Sequence, residues 1–311
     1  MKSKTAKFFL DKIESPTKIR IALPEKDNRM SNAIKILSEF GIKIIDSDAI
    51  LSLQSNKYLD TIKKLKFTNN WPNENINKYL DDPFIKSLCM LKNKEVDGVV
   101  CGATIPSSII IRNALRVIGL EKKSNSLSSM FLMIEKNCKK MLSFADCAVI
   151  PDPSSNQLSE IAEKTSELHK ILTNDTSKIA FLSFSTMGSS KHYRVDNVKK
   201  AVNIFSKRNP KIIIEGEVQL DTAIDPKVSS KKIKDSKLKG TANTLIFPNL
   251  DAGNIGYKLV QKFGSYYACG PLLLGLNQPV NDLSRGSTAE DIVLIALITA
   301  IQAERLNYAN L

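Results

Sequence analysis

The feature that most constrains the fold is an alternation of short apolar runs with amphipathic helical patterns. Residues 19–24 and 42–45 are strand-like, and residues 30–40 between them repeat apolar side chains at helical spacing. A third apolar run at 96–101 is followed by a helical pattern over 108–118. This strand–helix order predicts a parallel sheet covered by helices, which is the α/β class.

The pattern changes in the middle of the chain. Apolar runs at 127–134 and 141–150 flank a short polar link, which predicts two adjacent strands joined as a hairpin. A helix is predicted over 157–173, and residues 226–239, which carry few apolar side chains, are expected to form a mobile surface loop. Later strand-like runs lie at 179–184, 211–214, 244–247 and 268–274.

This change of pattern predicts two α/β domains. At 311 residues the chain is long enough for two domains with buried cores. We place one domain at residues 1–121 plus 271–311, where the C-terminal segment returns with a strand and a helix. The inserted second domain is placed at residues 122–270.

The formal net charge of +13 comes mainly from lysine, since only eight of the 45 basic residues are arginine. Nucleic-acid-binding domains more often carry arginine-rich stripes or stacking aromatic residues, so no nucleic-acid partner is expected. The positive field is instead expected to attract small polyanions such as nucleotides and coenzyme A.

The five cysteines are widely spaced and lack a CxxC pair, which favours reduced thiols in a cytoplasmic protein. His169 and His192 form no cluster with them, so no metal site is expected. The N-terminus has no apolar signal core, and the apolar C-terminal run is interrupted by Thr299 and Gln302. No membrane partner is therefore expected.

The segment before the C-terminal apolar run combines groups that suit an anion. Ser287 and Glu290 fit a capping box, which predicts a helix N-terminus just ahead of the apolar residues. Arg285 then lies beside free backbone N–H groups and the positive end of the helix dipole. A planar guanidinium in this place suits phosphate, and a solvated arginine before a capped helix is the alternative.

A series of segments, covering most of the chain after residue 95, resembles the phosphate acetyltransferase (phosphotransacetylase) family within the phosphate acetyl/butyryl transferase superfamily. They occur in the family's order. The segments are DGVVCGA at 97–103, RNAL at 112–115, DCAVIPDP at 146–153, SFSTMGS at 183–189, GEVQLD at 216–221, DAGNIGYK at 251–258 and PVNDLSRG at 279–286.

The resemblance implies two α/β domains with a cleft between them, as in isocitrate and isopropylmalate dehydrogenases, and a homodimer. It implies reversible transfer of an acetyl group between coenzyme A and inorganic phosphate. The family reacts by direct attack, without a metal, a bound cofactor or a covalent enzyme intermediate, so coenzyme A and its esters are substrates. A serine nucleophile would need a nearby base, and neither histidine lies near the motifs.

By position, Ser284, Arg285 and Asp291 match the family's catalytic serine, arginine and aspartate. Asp291 would take the thiol proton, Arg285 would neutralise the phosphoryl oxygens, and Ser284 would donate to the developing oxyanion. Arg112 would join Arg285 on the phosphoryl group. The other residues expected to bind substrate are Ser185, Thr186, Gly188, Asn254 and Asn281.

Two departures from the family pattern leave alternatives open. The polar family segment after Gly102-Ala103 is replaced by Thr104-Ile105-Pro106-Ser107-Ser108-Ile109-Ile110, and an upstream arginine is missing. The apolar replacement suits a longer acyl group, such as propionyl or butyryl. The missing arginine favours a non-catalytic sensor of acyl-coenzyme A.

Overall fold

The computed structural model describes residues 2–136 and 139–309. Its strands are β1 (Arg20–Leu23), β2 (Lys43–Asp46), β3 (Gly98–Cys101), β4 (Ser128–Glu135), β5 (Met141–Ala145), β6 (Lys178–Leu182), β7 (Ile213–Val218), β8 (Thr244–Ile246), β9 (Tyr266–Leu274) and β10 (Val280–Asp282). Its helices are α1 (Lys2–Leu10), α2 (Asn28–Glu39), α3 (Ser47–Ser52), α4 (Leu59–Lys63), α5 (Asn73–Leu80), α6 (Pro83–Lys92), α7 (Ser107–Val117), α8 (Ser155–Thr173), α9 (Tyr193–Arg208), α10 (Leu220–Ile224), α11 (Pro226–Lys232), α12 (Leu250–Phe263) and α13 (Ala289–Ala309).

The chain divides into two compact units. The first unit runs to Lys123 and resumes at Leu276, and the second spans Ser124–Gly275. The predicted boundaries, after residues 121 and 270, lie a few residues earlier, because β9 continues to Leu274 as a strand of the second unit. The returning strand of the first unit is β10.

The first unit contains a four-stranded sheet in the order β10-β3-β1-β2, and every pair in it is parallel. In such a sheet the carboxyl ends of the strands share one edge. The segments that follow β1, β3 and β10 therefore meet at that edge.

Helix α13 is the apolar centre of the first unit. Its residues from Ile292 to Ala300 are all buried, and the helix contacts α1, α2 and β3. Burial on every side explains why its apolar pattern is nearly continuous. In the part of the chain that the structure describes, no helix is both long enough and apolar enough to cross a membrane.

The second unit contains a six-stranded sheet in the order β7-β6-β8-β5-β4-β9. Strands β4 and β5 are antiparallel, with Phe131 opposite Phe144, which confirms the predicted adjacent pair. In the link between them, Asn137 and Cys138 lie outside the described residues. Strand β5 ends at Ala145, earlier than predicted, because the Asp146 carboxylate gathers the N–H groups of residues 148–150 into a turn.

The expectation of a mobile loop at 226–239 is wrong. Asp225 caps α11 by accepting from the N–H groups of residues 227 and 228, and Pro226 is the first residue of that helix. Beyond the helix, Ser236 donates to the buried Glu215 carboxylate at 2.9 Å, and Leu238 is buried in the core. The prediction failed because polar contacts, and not apolar packing alone, hold this segment in place.

Candidate active site

The segment after β10 forms a tight turn that exposes two predicted catalytic residues. The Leu283 N–H donates to the Cys101 carbonyl at 2.7 Å, which continues the β10–β3 pairing. Ser287 then donates its N–H to the Ser284 carbonyl at 2.9 Å, while Ser284 Oγ accepts from the Gly286 N–H at 3.3 Å. The side chains of Ser284 and Arg285 consequently face solvent at the edge where the parallel strands end.

The capping box lies one residue later than predicted. Thr288, not Ser287, precedes α13, and Asp291, not Glu290, completes the box. Asp291 Oδ2 accepts from both the N–H and the hydroxyl of Thr288 at 2.9 Å, and the Asp291 N–H donates back to the Thr288 hydroxyl at 3.3 Å. The predicted base is therefore an oriented, half-buried carboxylate on the first turn of α13.

Arg285 and Arg112 are both exposed. Among residues 2–136 and 139–309, neither guanidinium forms a hydrogen bond or an ion pair with another side chain. Arg116, one turn along α7 from Arg112, differs because it lies over the Phe67 ring at 5.2 Å. Arg285 and Arg112 keep their donors available for an anion.

Sequence reasoning missed Glu25, a buried carboxylate that organises the loop after β3. It accepts from the N–H groups of Gly102, Ala103, Thr104 and Ile105 at 2.7 to 2.9 Å, and from the Thr104 hydroxyl at 2.6 Å. Successive backbone N–H groups of this kind form an anion site, and here the anion belongs to the protein. The loop is fixed, and its N–H groups are not available to substrate.

Asp282 is a second buried acid at this edge. Its Oδ1 atom has no hydrogen-bond partner among the described residues, and the side chain is 2% exposed. Burial raises the pKa of Asp282 to about 6, and the nearby Glu25 charge adds to the shift, while hydrogen bonds from Ser107 and the Leu283 backbone oppose it. The sequence shows this acid only as part of the family segment.

Asn281 does not fit the predicted role of a substrate contact. Its side chain is fully buried, and its amide donates to Thr299 at 2.8 Å and to Gln302 at 2.6 Å, both on α13. The two polar residues that interrupt the apolar pattern of α13 are thus the partners of Asn281. The structure assigns this amide to packing β10 against α13.

The loop of the second unit that carries Ser185, Thr186 and Gly188, which are predicted to bind substrate, also contains an internal carboxylate. Gly188 donates its N–H to Glu217 at 2.6 Å, and the buried Ser185 hydroxyl donates to the same oxygen at 3.0 Å. Thr186 exchanges hydrogen bonds with Gln219 at 3.0 and 3.2 Å. These contacts hold the loop against the end of β7, so the predicted binding groups of Ser185 and Gly188 are already engaged.

Asn254 lies in the second turn of α12. Its amide donates to the Cys147 carbonyl at 3.1 Å, and its oxygen accepts from Lys258 at 2.7 Å. The preceding Gly253 packs so closely on the Asp146 backbone that a Cβ would collide with the Asp146 carbonyl. The DAGNIGYK segment therefore provides close packing of helix against strand end, and Asn254 is half-buried beside it.

The described residues contain no group of His, Cys, Asp or Glu arranged to hold a metal ion. The chemistry that the first unit can support is carried by the oriented Asp291 carboxylate, by the Ser284 hydroxyl and Arg285 guanidinium in the turn after β10, and by a second available guanidinium, Arg112, on α7. Such a set can neutralise a phosphoryl group and accept a proton.

Comparison with known proteins identifies the family to which the chain belongs. The family model described as phosphate acetyl/butaryl transferase matches residues 15–300. The phosphate acetyltransferase of Clostridium acetobutylicum is 40% identical over 299 residues, which cover 95% of this chain and 90% of the relative.

A phosphotransacetylase structure from Streptococcus pyogenes matches with a TM-score of 0.86 and 34% identity, covering 98% of this chain and 99% of that one. The 4-hydroxythreonine-4-phosphate dehydrogenase of Klebsiella pneumoniae, at 11% identity, shares the fold alone, with a TM-score of 0.52 over 92% and 99% of the two chains. The predicted α/β class of dehydrogenase type is confirmed. The chain belongs to the phosphate acetyl/butyryl transferase family.

Proposed function

We propose that this protein is a phosphate acetyltransferase that moves an acetyl group reversibly between coenzyme A and inorganic phosphate. The observation that carries the proposal is the Ser284–Arg285 turn: the Arg285 guanidinium has no side-chain partner among the described residues, and the oriented Asp291 carboxylate follows six residues later on the first turn of α13, in a chain of this family. A sensor of acyl-coenzyme A would have no use for a carboxylate base at this place. Family membership and an intact turn favour the enzyme.

Each direction of the reaction uses the same four side chains. To make acetyl phosphate, a phosphate oxygen attacks the acetyl carbonyl carbon, the C–S bond breaks, and the leaving sulfur takes up a proton. In reverse, the thiol, with an ordinary pKa of about 8.5, gives its proton to Asp291 and attacks acetyl phosphate, whose phosphate leaves. Ser284 donates to the carbonyl oxygen as it becomes negative, and Arg285 and Arg112 neutralise the phosphate.

The direct test measures thiol release from acetyl-, propionyl- and butyryl-coenzyme A, with and without phosphate. The wild-type chain should release thiol only with phosphate and fastest from the acetyl ester. Arg285→Lys should lose about 2 kcal/mol of transition-state stabilisation, because a point charge replaces a planar fork. If thiol is released fastest from butyryl-coenzyme A, the physiological substrate carries a longer acyl group than acetyl. If no ester gives phosphate-dependent thiol release, the non-catalytic sensor is the remaining hypothesis.

The proposal includes a homodimer. An apolar stripe on α12 supports it: Ile255, Leu259 and Phe263 are spaced four residues apart and are 58%, 51% and 87% exposed. Contiguous exposed apolar residues on a soluble unit mark a contact surface. A second copy of this chain is the proposed occupant of the stripe.

The cytoplasm is the proposed location. The four cysteines in the described residues, Cys89, Cys101, Cys147 and Cys269, are buried and form no disulfide with one another, as expected where thiols remain reduced. Burial raises the pKa of the Cys101 and Cys147 thiols, which keeps these two thiols protonated and unreactive.

A further inference from the structure

Arg29 joins two loops of the first unit through their backbone. Its Nη1 atom donates to the Arg285 carbonyl at 2.8 Å and to the Ser287 carbonyl at 2.9 Å. Its Nη2 atom reaches the Ala103 carbonyl at 3.3 Å. One guanidinium thus contacts the turn that carries Ser284 and Arg285 and the loop that precedes α7.

The Arg29 side chain is itself held in place. Asp27 accepts from its Nε and Nη2 atoms, each at 2.9 Å, and the Asp27 carboxylate also caps α2 by accepting from the Arg29 N–H. This double contact fixes the plane of the guanidinium, so its remaining donors point in set directions. The hydrogen bonds of Arg29 to Asp27 lower the pKa of that carboxyl.

The Ala103 loop is the rigid anchor of this arrangement, because its N–H groups are gathered on the buried Glu25 carboxylate. Fewer hydrogen bonds hold the turn at 284–287 together. Its residues Ser284, Arg285 and Gly286 are exposed, and within the turn two backbone N–H groups, of Gly286 and Ser287, donate to Ser284. Arg29 therefore holds the turn in a fixed position relative to the anchored loop, because it donates hydrogen bonds to both.

We propose that Arg29 is a positioning residue for Arg285, acting through the Arg285 carbonyl and not through contact with the reacting atoms. The inference rests on the proposed function for its kinetic consequence, while the structural link stands on its own. Lysine cannot replace the arginine, because a single ammonium group lacks the planar fork that reaches three carbonyls and one carboxylate.

The test compares Arg29→Gln and Arg29→Lys with a matched control, Arg20→Gln. Arg20 is bound in the same manner, to the Asp97 carboxylate and to the Lys94 carbonyl, away from the turn. Both Arg29 variants should lower kcat on the order of 10²-fold while the KM values for coenzyme A and phosphate stay within about threefold, since a displaced catalytic group costs rate more than binding. The control should keep the wild-type kcat.

Hydrogen exchange gives a readout that needs no enzyme activity. The Ser287 amide, which donates to Ser284, and the Thr288 amide, which donates to Asp291, should exchange at least tenfold faster in both Arg29 variants and unchanged in Arg20→Gln. Unchanged exchange in the Arg29 variants would overturn the positioning role. Raised KM for coenzyme A with wild-type kcat would overturn it too and make Arg29 a substrate contact.

The two readouts separate this inference from the proposed function. If the wild-type chain turns over no ester, the proposed function fails, and the exchange experiment still decides whether Arg29 holds the turn. If the wild type is active and Arg29→Lys retains its full kcat, the proposed function stands and the positioning role is wrong.

Discussion

The Oδ1 atom of Asp282 lies against the α-carbon of Gly102, in the space that a side chain at position 102 would occupy. The backbone N of Leu283 would be 2.6 Å from such a Cβ, and Gly102 has a φ of +114°, which L-residues rarely adopt. The ends of β3 and β10 therefore approach each other through a glycine. This close approach brings the turn that carries Ser284 and Arg285 to the loop that Glu25 holds.

Gly102→Ala should destabilise the chain by about 3 kcal/mol or more, because the new methyl group meets backbone as well as the Asp282 carboxylate. Gly119→Ala is the matched control: its φ of +79° is also unfavourable, yet the nearest atom to an added Cβ is 3.6 Å away. It should cost about 1 kcal/mol. Chemical denaturation measures both, and equal losses would show that collision at Asp282 contributes nothing.

The raised pKa of Asp282 predicts a specific pH dependence of stability. The folded-state value of about 6 lies above the unfolded value of about 3.9, so the folded state binds more protons between these limits. Stability from this group is complete below pH ~4 and is lost as the pH rises through about 6. The loss should be roughly 3 kcal/mol.

Asp282→Asn should remove this dependence and be more stable than the wild type at pH 7–8. The exposed Asp48→Asn is the control and should leave the wild-type profile unchanged. Denaturant unfolding across pH 4–8 measures the effect. Parallel curves for Asp282→Asn and the wild type would mean that Asp282 titrates normally in the folded state.

Local patterns predicted much of this fold, because apolar runs report burial directly. The alternation before residue 120 and the strand pair β4–β5 both follow from side-chain spacing over a few residues. The capping box shows the limit of such patterns. Ser287 with Glu290 and Thr288 with Asp291 are overlapping matches one residue apart, and only tertiary packing, which buries Ser287, selects the second.

The internal carboxylates could not be predicted in this way. Glu25 is 77 to 80 residues from the N–H groups that it binds, and Glu217 is 29 residues from Gly188. Nothing local distinguishes an acid that will fill a loop of N–H groups from a solvated one. For this reason the loop at 185–191 resembles a site for an external anion in sequence, whereas Glu217 occupies it.

The α12 stripe predicts that Phe263→Ser weakens self-association. Phe263 is the most exposed of the three stripe residues, so its replacement should raise the dimer dissociation constant at least tenfold. The melting temperature of the monomeric protein should change little. Leu115→Ser, an exposed apolar residue of the first unit, is the control. Sedimentation velocity over a concentration series measures both, and a monomeric wild type would contradict the dimer.

Asp291 combines a structural contact with its proposed chemical role, and two variants separate them. Thr288→Ala removes the hydroxyl that donates to Asp291 Oδ2 and should cost about 1 kcal/mol of stability with a modest loss of rate. Asp291→Asn keeps the shape but cannot accept the thiol proton, so kcat for coenzyme A acetylation should fall on the order of 10²- to 10⁴-fold with coenzyme A binding largely unchanged. Calorimetric titration measures the affinity for coenzyme A, and rates measured across a pH series give kcat. Equal rate losses in the two variants would reduce Asp291 to a helix cap, and another base would then have to serve the thiol.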